Sequence, residues 1–300
     1  MRRDRIILKT IVLCARLIGL IPRKWGDRLG CFLGRILFMA DVKHRNIAMQ
    51  NMGYAFDKPP HQFRSLSLRV FENLGRILFE FAWSLGLKEN RFSKHFRIEG
   101  IHHIRDAYEK GKGVLMLTAH FGNWELLANL SPMLGYPISI VFRPLDFKPL
   151  DQFIINSRSR FGGHLIPKKK SMRHILRHLK QGDMVLLLMD QNVAWREGVF
   201  VDFFGHRACT NKGLALLALR TEAPVVPVFL IREPSGFVGK FLPEIPLIRT
   251  GDKTKDMEAN TEQYNKVIES VVRQYPDQWF WVHQRWKTRP FKPWPRETKK

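Results

Sequence analysis

Four short apolar runs, at residues 114–118, 138–142, 184–189 and 225–231, constrain this chain more than any other feature. A run without polar alternation reads as a strand buried on both faces. Helical spacing lies between and after these runs: Met172, Ile175, Leu176 and Leu179 stopped by Gly182, then residues 214–218 and 258–273. Strands alternating with helices imply a mostly parallel sheet covered by helices. Before about residue 96 the pattern is helical, with Val70, Leu74, Ile77, Leu78 and Phe81 on one face after a break at Asp57-Lys58-Pro59-Pro60. The predicted fold class is α/β, with a mostly parallel central sheet flanked by helices and a helical N-terminal extension. The division falls after residue 45, with 1–45 as the extension and 46–300 as the main domain.

Charge narrows the partners. The chain of 300 residues carries a net +23. Residues 1–50 hold 11 Lys/Arg against 3 acids, and residues 276–300 hold 7 against 2, so a quarter of the chain carries over half the excess. Such asymmetry points to nucleic acid, an anionic membrane or an acidic protein. Cys14, Cys31 and Cys209 are odd in number and widely spaced, which argues against a disulfide framework and a zinc pattern.

Residues 6–21 are apolar apart from Lys9 and Arg16 and follow Arg2, Arg3 and Arg5. Sixteen residues fall short of the ~20 that span a bilayer. Lys9 and Arg16 share a helical face, so the stretch fits a basic amphipathic helix lying in the membrane interface. Trp25 and the apolar run at 33–40 extend that character.

The chemistry concentrates where the first apolar run ends. His120 follows the strand, Gly122-Asn123 turns the chain, and Glu125 opens the next helix. The carboxyl edge of an open α/β sheet is where ligands bind. A histidine oriented by a carboxylate is a general base for a hydroxyl. Spacing alone is weak, since a His-x4-acid match is expected about once by chance at ordinary acidic content. A second match, His178 with Asp183, reads as a solvated helix end. Asp190 also follows a buried strand, so it is expected to share the crevice with His120. Arg143 follows another strand, and Arg158 and Arg160 sit in Arg158-Ser159-Arg160-Phe161-Gly162-Gly163. Arginines converging there suit phosphate or carboxylate recognition.

Other signals are missing or ambiguous. There is no Gly-x-Ser-x-Gly elbow, phosphate loop or dinucleotide fingerprint. His102-His103 lacks ligand neighbours for a metal, and Lys168-Lys169-Lys170 reads as a solvated loop. The tail with Trp279, Phe280, Trp281, His283, Arg285, Trp286 and Lys287 reads as base-stacking, as an interfacial belt or as a packed strand with tryptophan filler.

These blocks together resemble the lipid A late acyltransferases, the lauroyl/myristoyl transferase branch of the lysophospholipid acyltransferase superfamily. The resemblance runs over roughly residues 5–288. It rests on residues 118–125, 141–146, 158–163 and 189–191, then 198–205 with 210–213, then 279–287. Asn211 and Lys212 depart from the small hydroxyl residues usual at 210–213. The resemblance implies that 46–300 is an acyltransferase domain, that His120 is the general base and that Glu125 orients its imidazole. Arg160 and Asp190 match the family's further essential arginine and acid, with Arg158 the competing arginine. Arg143 and Asn123 are expected to support or bind substrate. The implied donor is an acyl thioester on acyl carrier protein or coenzyme A. The implied acceptor is a hydroxyl of an anionic glycolipid at the cytoplasmic face of the bacterial inner membrane, with no cofactor or metal. Another glycolipid or a lysophospholipid is the alternative acceptor. A nucleic-acid-binding protein is a distant alternative, since no recognition motif accompanies the charge.

Overall fold

The computed structural model describes residues 2–169 and 171–290. The N-terminal third is helical: α1 (Arg2–Gly19), α2 (Arg23–Ala40), α3 (Val42–Phe56), α4 (Arg64–Leu85) and the short α5 (Glu89–Ser93). The alternating part follows with β1 (Phe96–Glu99), α6 (Ile101–Tyr108), β2 (Val114–Thr118), α7 (Ser131–Leu134), β3 (Ile138–Phe142), α8 (Lys148–Arg158) and β4 (His164–Pro167). It continues with α9 (Ser171–Lys180), β5 (Met184–Leu188), β6 (Gly198–Phe203), β7 (His206–Asn211), α10 (Gly213–Thr221), β8 (Val225–Glu233), β9 (Gly236–Phe241) and α11 (Lys253–Gln274).

Seven strands form one sheet in the order β1-β9-β8-β2-β5-β3-β4. Every neighbouring pair is parallel except the β8–β9 hairpin. The expected α/β class with a mostly parallel sheet is therefore the observed one. Strand β2 shows why its run is unbroken. Leu115 and Leu117 pack on one side with α10 and α11, while Val114 and Met116 pack on the other with α6. Side chains alternate faces along a strand, so two buried faces demand apolar residues at every position. Replacing a fully buried leucine such as Leu117 by alanine is expected to cost about 2–5 kcal/mol.

Helix α2 crosses α4 at backbone contact. A Cβ on Gly34 would lie 2.3 Å from Phe71 O, and one on Gly75 would lie 2.1 Å from Gly30 O. Glycine at these positions, with no side chain, lets α2 and α4 meet backbone to backbone.

The sheet parts at one place. Strands β3 and β5 pair from Ile138↔Met184 to Ile140↔Leu186 and then separate. Beyond that point β5 stays with β2 as far as Thr118↔Leu188, and β3 stays with β4 as far as Phe142↔Pro167. A fork therefore opens at the carboxyl edge, beside His120 and Asp190. The antiparallel β6–β7 hairpin lies outside the sheet and packs on α11.

Candidate functional site

His120 leaves β2 two residues past Thr118, and Gly122 turns the chain back at φ +57°. A Cβ there would lie 1.8 Å from Leu230 O, so only glycine fits. A 3-10 helix (Trp124–Leu130) follows, with Glu125 in its first turn. The expected strand, turn and helix are present, with tighter winding than an α-helix.

The carboxylate on the imidazole belongs to Asp190. Its Oδ1 lies 2.9 Å from His120 Nδ1, and its Oδ2 accepts the His120 backbone N–H at 3.0 Å and the Trp279 Nε1–H at 2.8 Å. Asp190 is only 2% exposed. Burial alone would raise its carboxyl, yet the charge and hydrogen bonds of His120, with the Trp279 donor, hold it below the ordinary value. An ionised Asp190 places the ring proton on Nδ1 and leaves Nε2 unprotonated, with its lone pair as an acceptor. Gln191 Nε2 lies 3.5 Å from that nitrogen.

Glu125 stands elsewhere than expected. Its Oε2 accepts from Arg158 Nε and its Oε1 from Arg158 Nη2, both at 2.9 Å, and Trp124 Nε1 adds a bond of 3.1 Å. The carboxylate is thus committed to a guanidinium, and the five-residue spacing does not bring it onto the imidazole. Both groups still border the cavity that His120 faces.

The two candidate arginines separate. Arg158 lines the cavity. Arg160 points away, donating from Nη1 to Ser84 O at 2.7 Å and lying 4.2 Å over the Phe161 ring. Burial lowers it to about 10. Arg143 is exposed on the cavity wall. Asn123 is fully buried behind the turn and donates to Glu80 at 2.9 Å, and Glu80 in turn pairs with Arg232. Of the expected residues, His120, Glu125, Arg143 and Arg158 share the cavity. Asp190 backs it, while Asn123 and Arg160 lie outside its lining.

The cavity, about 580 Å³, fills the fork in the sheet. Val141 and Phe142 line one side, Leu187 and Leu188 the other, and Ile140 and Leu186 lie where pairing resumes. Met172 and Ile175 of α9 and Leu217 of α10 complete an apolar wall. Asn211 and Gly213 also reach it, with Asn211 Oδ1 accepting the Gly213 N–H at 2.7 Å.

The aromatic–basic tail is core. Trp279, Trp281 and Trp286 are at most 6% exposed and Arg285 is fully buried, so these side chains form neither a stacking platform nor a lipid belt. Arg285 donates to Cys209 O at 3.0 Å and Thr210 Oγ1 at 2.5 Å, with burial lowering it to about 10. The segment forms one bridge, Trp279 to Phe121, instead of a strand, and Phe280 N–H donates to His120 O. Sequence reasoning gave the tail no part beside His120. A second histidine, His283, in an otherwise aromatic and basic block was the available signal.

His178 and Asp183 are not a solvated helix end. Their side chains meet at 2.6 Å, and the Ser139 hydroxyl, fully buried on β3, donates to Asp183 at 2.8 Å. Of the three lysines after β4, Lys168 pairs with Glu197, and Lys170 lies outside the described residues.

The fold and site define a class: an α/β protein with a histidine beside a ligand-sized cavity at the carboxyl edge of its sheet. The family described as bacterial lipid A biosynthesis acyltransferase matches residues 4–288, and the chain belongs to that family. It is an acyltransferase. It is 28% identical over 280 residues to a lipid A biosynthesis acyltransferase of Haemophilus influenzae, covering 91% of this chain and 85% of that one. It is 29% identical over 265 residues to the lipid A biosynthesis lauroyltransferase of Escherichia coli K12, covering 88% and 85%. Identity to the lipid A biosynthesis palmitoleoyltransferase of the same organism is 29% over 270 residues, covering 87% and 85%.

Proposed function

We propose that this protein transfers a fatty acyl chain from a thioester on acyl carrier protein or coenzyme A to a hydroxyl of a lipid A precursor. The observation that carries the reading is the unprotonated Nε2 of His120, on a ring backed by Asp190, beside an apolar cavity in the parted sheet. A hydroxyl is a poor nucleophile near neutral pH, so a base is needed in the transition state, typically contributing about 10²–10⁴-fold. His120 Nε2 takes the hydroxyl proton as the oxygen bonds to the thioester carbonyl carbon. The tetrahedral intermediate then expels the thiolate, which recovers the proton from the imidazolium. Asp190 stabilises the imidazolium throughout and stays ionised. The acyl chain lies in the fork, whose size falls within the range of small-molecule pockets.

Two surface features support the partners. On α1 the side chains of Ile6, Leu13 and Leu17 are exposed, with Leu20 just past its end, and on α2 those of Trp25, Leu29, Phe32, Ile36 and Met39. Each set recurs at helical spacing and forms one apolar face, flanked on α1 by Lys9 and Arg16. Such faces suit docking in the headgroup region of an anionic membrane, the cytoplasmic face of the inner membrane in this reading. Among the described residues no helix is long and apolar enough to cross a membrane. Helix α9 lines the cavity with Met172 and Ile175 and exposes Arg173 in its first turn, with Arg177 and Lys180 exposed further along the helix, which favours an acidic carrier protein as donor.

The test is incubation of purified protein with acyl carrier protein and coenzyme A thioesters of several lengths, with and without a lipid A precursor. Mass spectrometry is expected to find one added acyl chain on the precursor. Thioester consumption that yields only free fatty acid, unaltered by the precursor, would mark a hydrolase and overturn the reading.

A further inference from the structure

His283 enters the cavity from the C-terminal segment, and nothing in the reading above uses it. Its Nε2 lies 2.9 Å from the backbone N of Asn192. A backbone N–H only donates, so Nε2 is the acceptor, and the neutral ring carries its proton on Nδ1. Burial, the largest influence on this ring, disfavours its charged form, which agrees with that assignment. Nδ1 makes no hydrogen bond to any described residue. The ring is held at both ends of its chain. Asn51 grips the His283 carbonyl at 2.7 Å, and the His283 backbone N–H donates to Phe280 O, one residue from the Trp279 that supports Asp190.

A thioester carbonyl turning tetrahedral needs donors for its developing oxyanion. The two amides following the base are taken: Phe121 N–H donates to Ala119 O and Gly122 N–H to Gln278 O. Several cavity side chains are also engaged. Arg158 is held by Glu125, Lys168 by Glu197, and the Asn192 amide by Thr288. Arg143 stands at the exposed rim, and Gln191 faces the lone pair of His120. The Nδ1–H of His283 is an uncommitted donor on a ring fixed in place, in the cavity of the base.

We infer that His283 is a catalytic residue of the transfer, donating its Nδ1–H to the oxygen of the tetrahedral intermediate while His120 moves the proton. The inference rests on the acyl-transfer reading above. A neutral imidazole serves here as an electrophile because a charged one would lose its bond to Asn192 N–H. Both rings are the Nδ1–H tautomer, and they divide the work by which nitrogen the protein engages. Asp190 takes the proton side of His120 and leaves its lone pair, whereas Asn192 takes the lone pair of His283 and leaves its proton.

Paired substitutions test it. Asparagine keeps an amide N–H near the position of Nδ1 but loses the acceptor for Asn192. Glutamine keeps an acceptor near Nε2 but loses the donor. His283→Gln is expected to lower kcat about 10²-fold with little change in KM for the acyl donor. His283→Asn is expected to retain the higher rate of the two, with both variants folded by circular dichroism. The reverse order, glutamine above asparagine, would reduce His283 to a clamp on Asn192 and overturn the inference. So would a His283→Gln rate within threefold of the parent while His120→Ala is inactive. Full activity in His120→Ala would remove the base assignment, and the role of His283 with it.

Discussion

Arg158 grips Glu125 at two points, Nε to Oε2 and Nη2 to Oε1, each at 2.9 Å. The pair is four-fifths buried on both sides and forms part of the cavity wall that His120 faces. Planar two-point contacts of this kind fix orientation as well as charge, and lysine does not reproduce them. Glu125→Gln and Arg158→Lys are each expected to lower kcat/KM by about 10–100-fold, an interaction of about 1.5–3 kcal/mol. The double variant should be no worse than the weaker single one, because both changes break one contact. Steady-state rates for the three variants provide the check; additive losses would mean independent roles.

Arg160 predicts a different outcome although it is two residues away. Its guanidinium covers Phe161 and bonds to Ser84 O, so Arg160→Ala should lower stability by about 1–3 kcal/mol. The kcat of the folded variant should stay within a few-fold of the parent. Urea melts read alongside initial rates separate the two arginines.

Asp190 ties stability to pH. Its folded carboxyl titrates below the ordinary value of 3.8, so at mildly acidic pH the unfolded chain binds more protons than the folded one. The stability it contributes is complete above that value and is lost as pH falls through the lower, folded one. Asp190→Asn should therefore flatten the acid limb of the stability curve, measured by denaturant melts from pH 6 to pH 3. It should also cost two or more orders of magnitude in acyl transfer, since the amide no longer stabilises the imidazolium.

Cavity width should set chain preference. Val141 and Leu187 are partly buried and line opposite walls of the fork. Leu187→Phe is expected to favour donors about two or more carbons shorter, with discrimination of about tenfold or more for each methylene excluded. Competition among thioesters of mixed length reads this directly. An unchanged preference would place the acyl chain elsewhere.

Membrane docking is testable away from the cavity. Leu17→Glu combined with Phe32→Glu inserts charge into the two exposed apolar faces. Sedimentation with anionic vesicles should fall by about 10-fold or more, while transfer to detergent-dispersed acceptor stays near the parent rate.

The central strands were legible because burial on both faces leaves an unbroken apolar run, as in β2 and β5. The β6–β7 hairpin was not, since Gly198–Phe203 and His206–Asn211 mix polar and apolar residues at the margin of the core. Nor were β1 and β4, each of only four residues. His120 stood out by its place at a strand end. Its partner was harder to see. Local spacing favoured Glu125, whereas Asp190 arrives from seventy residues away, just past the end of the adjacent strand. The tail misled for a related reason. Its tryptophans and Arg285 look like surface chemistry in sequence, and burial shows only once β7 supplies Cys209 O and Thr210 as partners.

The fork between β3 and β5 carries a constraint of its own. Pockets walled by loops can be resized with little effect on the rest of a protein. Here the walls are the same strands that make the core, and Ile140 and Leu186 both end the slot and close the sheet. Any change that lengthens the slot must unpair another rung or hollow the interior. On the proposed reading, a lineage that drifts toward longer acyl chains is expected to lose folding stability along the way, with compensating substitutions on the faces of β3 and β5.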